Sequence, residues 1–231
     1  MLELNKLYLG DCLEVMKEID DNSIDMVLVD PPYTMTKRGK SCRPNYMPNN
    51  MGDNVFSGKL PTCKDWFKHS YRILKENTHM YVFCNTISIN DFLNVAKECG
   101  FLFHNIISII KDTHMPNRWY LKYTEFILFF RKGKAKPIND MKSRDYFNVI
   151  MPKSNNDKIH ITQKPLNIIE KMITNSSKVG EIVLDFFVGS GTTAIAAIRT
   201  KRQWIGIEKD EKYYKLASER IEKELNKLEL F

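Results

Sequence analysis

Short apolar runs of strand length recur along this 231-residue chain, and amphipathic stretches at helical spacing separate them. Ile24 to Val29 reads as a buried strand, and Leu7-Tyr8-Leu9, Thr78 to Cys84, Phe101 to Ile110 and Tyr123 to Arg131 as further strands. Ile182-Val183-Leu184 and Trp204 to Ile207 add two more near the other end. Between them the spacing predicts a short helix from Cys12, one from Pro61-Thr62 to about Lys75, and one from Ile87 to Cys99 closed by Gly100. Lys164 to Lys178 is helical from Pro165 onward, Thr192 to about Thr200 is another helix, and Lys209 to Phe231 reads as one charged helix. Strands alternating with helices predict an α/β fold in a single domain over residues 1–231. Two long stretches have no usable period, from Tyr33 to about Leu60 and from Gly133 to His160. Irregular stretches of that length inside a compact domain are usually functional or mobile.

Charge sharpens the reading of those stretches. The net charge is +7, and it is concentrated. Lys37 to Arg72 holds eight basic residues against two acids, and Arg131 to Lys164 holds nine against three. Two basic, loop-like segments suggest a polyanion, foremost nucleic acid. The link Lys111 to Lys122 is basic and aromatic, which suits nucleic-acid contact and equally suits an ordinary connection between paired strands. With 43% apolar residues the chain can bury a substantial core. No signal peptide and no membrane-length apolar run are found, and five scattered cysteines without a CxxC read as reduced thiols. The expectation is a cytoplasmic protein with no membrane partner and no bound metal.

The first candidate site is Val29-Asp30-Pro31-Pro32-Tyr33. The two prolines stop the strand and stiffen the backbone after Asp30. Asp30 then sits at a strand's carboxyl end, where open α/β sheets bind ligands. A carboxylate, proline carbonyls and the Tyr33 ring suit a flat amine, with the oxygens accepting from it and the ring stacking on it. The second is Ile182 to Ala194, a strand, a glycine turn and a helix start. Gly189 and Gly191 allow a tight turn and close approach to a ligand, and the following helix offers free N–H groups. Glu208 ends the next strand, 19 residues after Gly189, the spacing at which an acid reaches a ribose. Strand, loop, helix, strand and acid point to a nucleoside-containing cofactor. NAD and S-adenosyl-L-methionine compete, and the second needs only the shorter unit available here. Asp11 is either an N-cap or a carboxylate that accepts from a ligand amine.

With both motifs in view, the chain resembles the β-group DNA amino-methyltransferases, which methylate exocyclic nitrogens. Asp30-Pro31-Pro32-Tyr33 precedes Phe187-Val188-Gly189-Ser190-Gly191, the order of that group. His160-Ile161-Thr162-Gln163-Lys164-Pro165 and Leu9-Gly10-Asp11-Cys12 match two further motifs. Ile161 and Phe186 stand where the family usually has Pro. The resemblance implies a Rossmann-like S-adenosylmethionine-dependent methyltransferase fold. Its sheet is mixed and seven-stranded, with helices on both faces and a circularly permuted motif order. It assigns Asp30, Pro31, Pro32 and Tyr33 to catalysis. Cofactor contacts fall to Glu208 at the ribose, and to Asp11 and Cys12 at the adenine. Phe187, Gly189, Ser190, Gly191, Thr192 and Lys164 follow at the methionine end, with Asp30 nearby. The implied reaction is transfer to the N6 amine of adenine in double-stranded DNA, with the base flipped out of the duplex. Cytosine N4 is the runner-up, ahead of an RNA or protein amide and of a non-catalytic DNA-binding module. The resemblance also allows a homodimer and a cognate restriction endonuclease as partners. Site recognition is assigned to loops at about 34–60 and 111–160.

Overall fold

The computed structural model describes residues 2–32, 61–115, 120–150 and 164–229. Its centre is an eight-stranded sheet. The strands are β1 (Lys6–Leu9), β2 (Ile24–Val29), β3 (Leu74–Cys84), β4 (Leu102–Met115), β5 (Lys122–Lys132), β6 (Tyr146–Val149), β7 (Ile182–Asp185) and β8 (Gln203–Glu208). They lie side by side in the order β1-β8-β7-β2-β3-β5-β4-β6. Neighbours are parallel except that β5 runs antiparallel to both β3 and β4. The mixed α/β sheet is the one the sequence implies, with one strand more than seven. The addition is β6, four residues along the outer edge of β4 of which Asn148 is exposed and the others are half-buried, inside a stretch that reads as irregular.

Why β2 lies in the middle follows from its sequence. All six of its residues are buried, and alternate side chains feed opposite faces. Val27 and Val29 join a cluster with Cys12 and Met16 of α1 (Cys12–Lys17), Trp66 and Phe67 of α2 (Cys63–Ile73), and Phe92 and Ala96 of α3 (Ile89–Glu98). Met26 and Leu28 join the other. There they meet Ile168 and Met172 of α4 (Leu166–Ser176), Ala194 and Ala197 of α5 (Thr192–Arg199), and Ala217 of α6 (Glu211–Glu229). Helices thus cover both faces. Helix α2 stops at Ile73, two residues short of the sequence expectation. Leu74 is already extended, at φ −66° and ψ 137°, and pairs with Ile24 of β2.

One buried cation ties these layers together. Lys132, only 4% exposed, donates to the carbonyls of Tyr71 and Leu74 and to Asn22 Oδ1, at 2.8, 2.7 and 2.7 Å. Lys132→Met would leave those acceptors without their donor, at a cost of about 3 kcal/mol. The thermal midpoint should fall by roughly 6 to 12 °C with cofactor affinity unchanged. An unchanged midpoint in a melting experiment would contradict this role.

Candidate active site

Strand register gathers the candidate residues along one edge of the sheet. Val27 pairs with Leu184, so Asp30 and Phe187, each three residues on, leave β2 and β7 side by side. Asp185 pairs with Gly206, which brings Glu208 to the same edge, and Leu9 pairs with Glu208, which brings Asp11 there. On the other side Val29 pairs with Val82, and Cys84 of β3 pairs with Phe126 of the antiparallel β5. The carboxyl ends of β1, β8, β7, β2 and β3 therefore meet the beginning of β5.

Asp30 follows the last residue of β2, and buried Pro31 holds the chain behind it. Its Oδ2 lies 2.8 Å from Lys164 Nζ, an ammonium only 12% exposed that also sits 5.0 Å from the centre of the Phe83 ring. Lys164 thus meets the catalytic candidate itself. Pro32 lies in the described chain, whereas Tyr33, loop 34–60 and the stretch 151–163, with Ile161, fall outside it.

The glycine loop has the backbone its sequence predicts. Gly189 and Gly191 take φ of 54° and 83°, values that side chains rarely tolerate. Gly191 caps α5, whose first residues Thr192 and Thr193 are buried. Its Cα also faces α6: a Cβ built there would lie 3.2 Å from Ala217 Cβ. Ser190 is buried, and its carbonyl accepts from Arg220 of α6. Phe186 is 1% exposed and packs 5.9 Å from Trp66 and 4.9 Å from Phe187, centre to centre, so it fills the core.

The acids around this loop are held firmly. Glu208 Oε2 accepts from the Gly189 N–H and Oε1 from the Asp210 N–H, both at 2.8 Å. Burial holds its carboxyl above the ordinary range against those donors. Asp11 caps α1 by accepting from Leu13 N at 3.0 Å, and its second oxygen pairs with Lys209 at 2.8 Å. That Lys209 hydrogen bond draws its carboxyl below the ordinary range. The Cys12 thiol beside it is pushed up to about 12 by burial.

Three charged groups at this edge were not singled out by the sequence. Asp185 is fully sequestered, accepting from Phe187 N at 2.9 Å and from Thr193 Oγ1 at 2.6 Å. Burial outweighs those bonds and lifts its carboxyl to about 7. Between its ordinary value of 3.8 and about 7 the native protein then holds more protons than the unfolded chain. The contribution to stability is whole below about pH 4 and is lost as the pH climbs toward 7. In Asp185→Asn it disappears. The stability difference, variant against native, should move in the variant's favour over that window by up to about 4 kcal/mol. A difference that stays flat in denaturant titrations would contradict it. The other two groups are Lys111 of β4 and Glu125 of β5, which form an ion pair. Glu125 Oε2 also lies 3.7 Å from Lys164 Nζ. Burial pushes the Glu125 carboxyl up, but Lys164 and Lys111 together bring it below the ordinary range. The only available signal for Glu125 was a lone acid in an apolar strand.

The basic link between β4 and β5 is, in its described part, the arm of a hairpin in which Met115 pairs with Lys122. Tyr120 stands 93% exposed near its end. Among the described residues no group of His, Cys, Asp and Glu could hold a metal ion, and no helix is long and apolar enough to cross a membrane.

A mixed sheet with an acid after one central strand and a glycine loop after its neighbour fits a nucleoside-containing cofactor. Comparison with known proteins makes the class specific. The chain belongs to the N6/N4 family described as DNA methylase, whose profile matches residues 24–219. It is 31% identical to the type II methyltransferase M2.DpnII of Streptococcus pneumoniae, over 95% of this chain and 91% of that protein. With M2.MboI of Moraxella bovis it shares 30% identity over 93% of this chain and 86% of the relative. Among solved structures, the M1.HpyAVI–SAM complex superposes with a TM-score of 0.70 at 27% identity, covering 93% of this chain and 98% of that one. The cytosine-N4-specific PvuII DNA methyltransferase has the same TM-score at 19% identity, a likeness of fold. The protein is an S-adenosylmethionine-dependent DNA methyltransferase.

The residues present fit that cofactor. Among the described residues, a Cβ built on Gly189 would find only the Phe187 carbonyl, 4.0 Å away, so these leave the loop open on that side. The Glu208 carboxylate accepts from the loop's Gly189 N–H, Phe187 precedes the loop, and register brings Asp11 to the same sheet edge.

Proposed function

We propose that this enzyme methylates the N6 amine of adenine in duplex DNA, and that Asp30 is the group that accepts from the amine. The observation that carries the reading is the Asp30 carboxylate at the end of β2, next to the strand that leads into the glycine loop. Glu208 and Asp11 would hold the nucleoside end of the cofactor, with the Cys12 N–H beside Asp11. Phe187, Gly189, Ser190, Gly191, Thr192 and Lys164 would hold its amino-acid end. When bound, S-adenosylmethionine supplies a methyl group already activated on a sulfonium.

The chain's own residues then act on the acceptor. The target base must leave the duplex, at a cost of a few kcal/mol. Tyr33 would stack on it, and the Pro31 carbonyl and Asp30 would accept from its amine. An exocyclic amine is a weak nucleophile because its lone pair is delocalised into the ring. Hydrogen bonds to Asp30 and Pro31 draw the nitrogen toward tetrahedral geometry and localise that pair. Positioning and preorganised charge would supply most of the rate. The exposed hairpin and the basic stretches at 34–60 and 111–160 would contact the DNA. The type II relatives support a cognate restriction endonuclease as partner. Digestion of methylated duplex DNA to nucleosides tests the base assignment. N6-methyldeoxyadenosine is expected, and N4-methyldeoxycytidine would overturn it.

A further inference from the structure

Four residues from four segments form a row of alternating charge: Lys111 on β4, Glu125 on β5, Lys164 before α4 and Asp30 after β2. Lys111 pairs with Oε1 of Glu125. Lys164 Nζ lies 3.7 Å from Oε2 of the same carboxylate and 2.8 Å from Asp30 Oδ2. One end of the row is on the basic hairpin, and the other is the carboxylate that would receive the target amine.

The arrangement poses a problem that Glu125 solves. Asp30 has to offer its oxygens to the amine, yet one of them is engaged by Lys164. When Asp30 turns to the amine, the sequestered ammonium gives up one ion pair, and a carboxylate already beside it lowers that cost. Glu125 is already within ion-pair distance, and Lys111 fixes it from the opposite side. We propose that Glu125 is a positioning residue: it retains Lys164 when Asp30 engages the amine, and through Lys111 it ties the hairpin to the catalytic carboxylate. This rests on the assignment of Asp30 as the amine's acceptor.

The experiment is single-turnover methyl transfer to duplex DNA with cofactor and DNA saturating. It compares the native protein, Glu125→Gln, Lys164→Met and the double variant, with cofactor and DNA dissociation constants and melting curves alongside. Glu125→Gln should lower the rate about tenfold while both dissociation constants stay within about threefold. In the Lys164→Met background the same change should cost less than about twofold, because residues acting through one another do not add. A full rate in Glu125→Gln, or an equal loss in both backgrounds, overturns the proposal; equal loss is what a merely structural acid would give. Should Glu125→Gln not fold, Lys111→Met reads the same row, with a loss of about threefold expected in the native background and none with Lys164→Met. The underlying reading fails separately: a working Asp30→Ala would sink it, whereas an inactive Asp30→Ala beside an unaffected Glu125→Gln sinks only the role of Glu125.

Discussion

Asp30→Ala should abolish methyl transfer to DNA, by at least about a thousandfold, while S-adenosylmethionine still binds within about tenfold of its native affinity. The two halves of that expectation come from different strands. The groups assigned to the cofactor's nucleoside and loop contacts leave β1, β7 and β8, where Asp11 accepts from Leu13 N, Glu208 from Gly189 N and Asp185 from Phe187 N. What Asp30 would contribute is an anionic acceptor at the end of β2, where the lone pair of an incoming amine is localised on nitrogen only if its protons are accepted. Its other effect is on Lys164, which loses a partner at 2.8 Å and keeps Glu125 at 3.7 Å. Calorimetry on the variant separates the two halves. Loss of cofactor binding together with transfer would show that Asp30 serves the cofactor instead, and retained transfer would remove it from catalysis.

Gly191→Ala should reduce cofactor affinity by more than about thirtyfold and destabilise the fold by about 1 to 3 kcal/mol. Two independent constraints meet at this residue. Its φ of 83° strains any side chain, and a Cβ would stand 3.2 Å from Ala217 Cβ and 3.4 Å from Ala217 Cα. Ala217 is fully buried in α6, so relief requires either the helix or the loop to move. The loop would give way first, because Gly191 itself caps α5 and sets where the N–H groups of that helix point. Gly180→Ala is the matched control. Its φ is 82°, yet among the described residues nothing lies within 4 Å of a Cβ built there. It should show the backbone strain in melting without the loss of affinity. Equal losses of affinity in the two variants would mean that strain alone, and not the contact with α6, sets the loop.

How much of this was legible in the chain depends on how local the signal was. β2 could be read because six successive buried residues end at two prolines. The glycine loop could be read because its turn demands glycine at fixed places beside a strand and an acid. Their adjacency was not legible from spacing, since it depends on β7 pairing with β2 across more than 150 residues; the resemblance to permuted methyltransferases supplied that. β6 left no trace because Tyr146–Val149 is a short edge strand that buries neither face fully, so its residues need no alternation. Lys111 and Glu125 were hidden for a related reason. Each lies in an extended strand, and only the antiparallel register, with Ile109 opposite Glu125, brings them together. Asp11 shows the opposite case. Its helix-capping role was legible and is present, and its outer oxygen is held by Lys209, a partner 198 residues away that no local pattern announces.

On this reading Asp30 and the glycine loop serve one reaction. A crystal structure of the protein with S-adenosylmethionine tests it most directly. The adenosine is expected between Asp11 and Glu208, the amino-acid end along Phe187 to Thr192, and the methyl group facing the space in front of Asp30. A cofactor seated with its methyl turned away from Asp30, or bound away from the glycine loop, would contradict it.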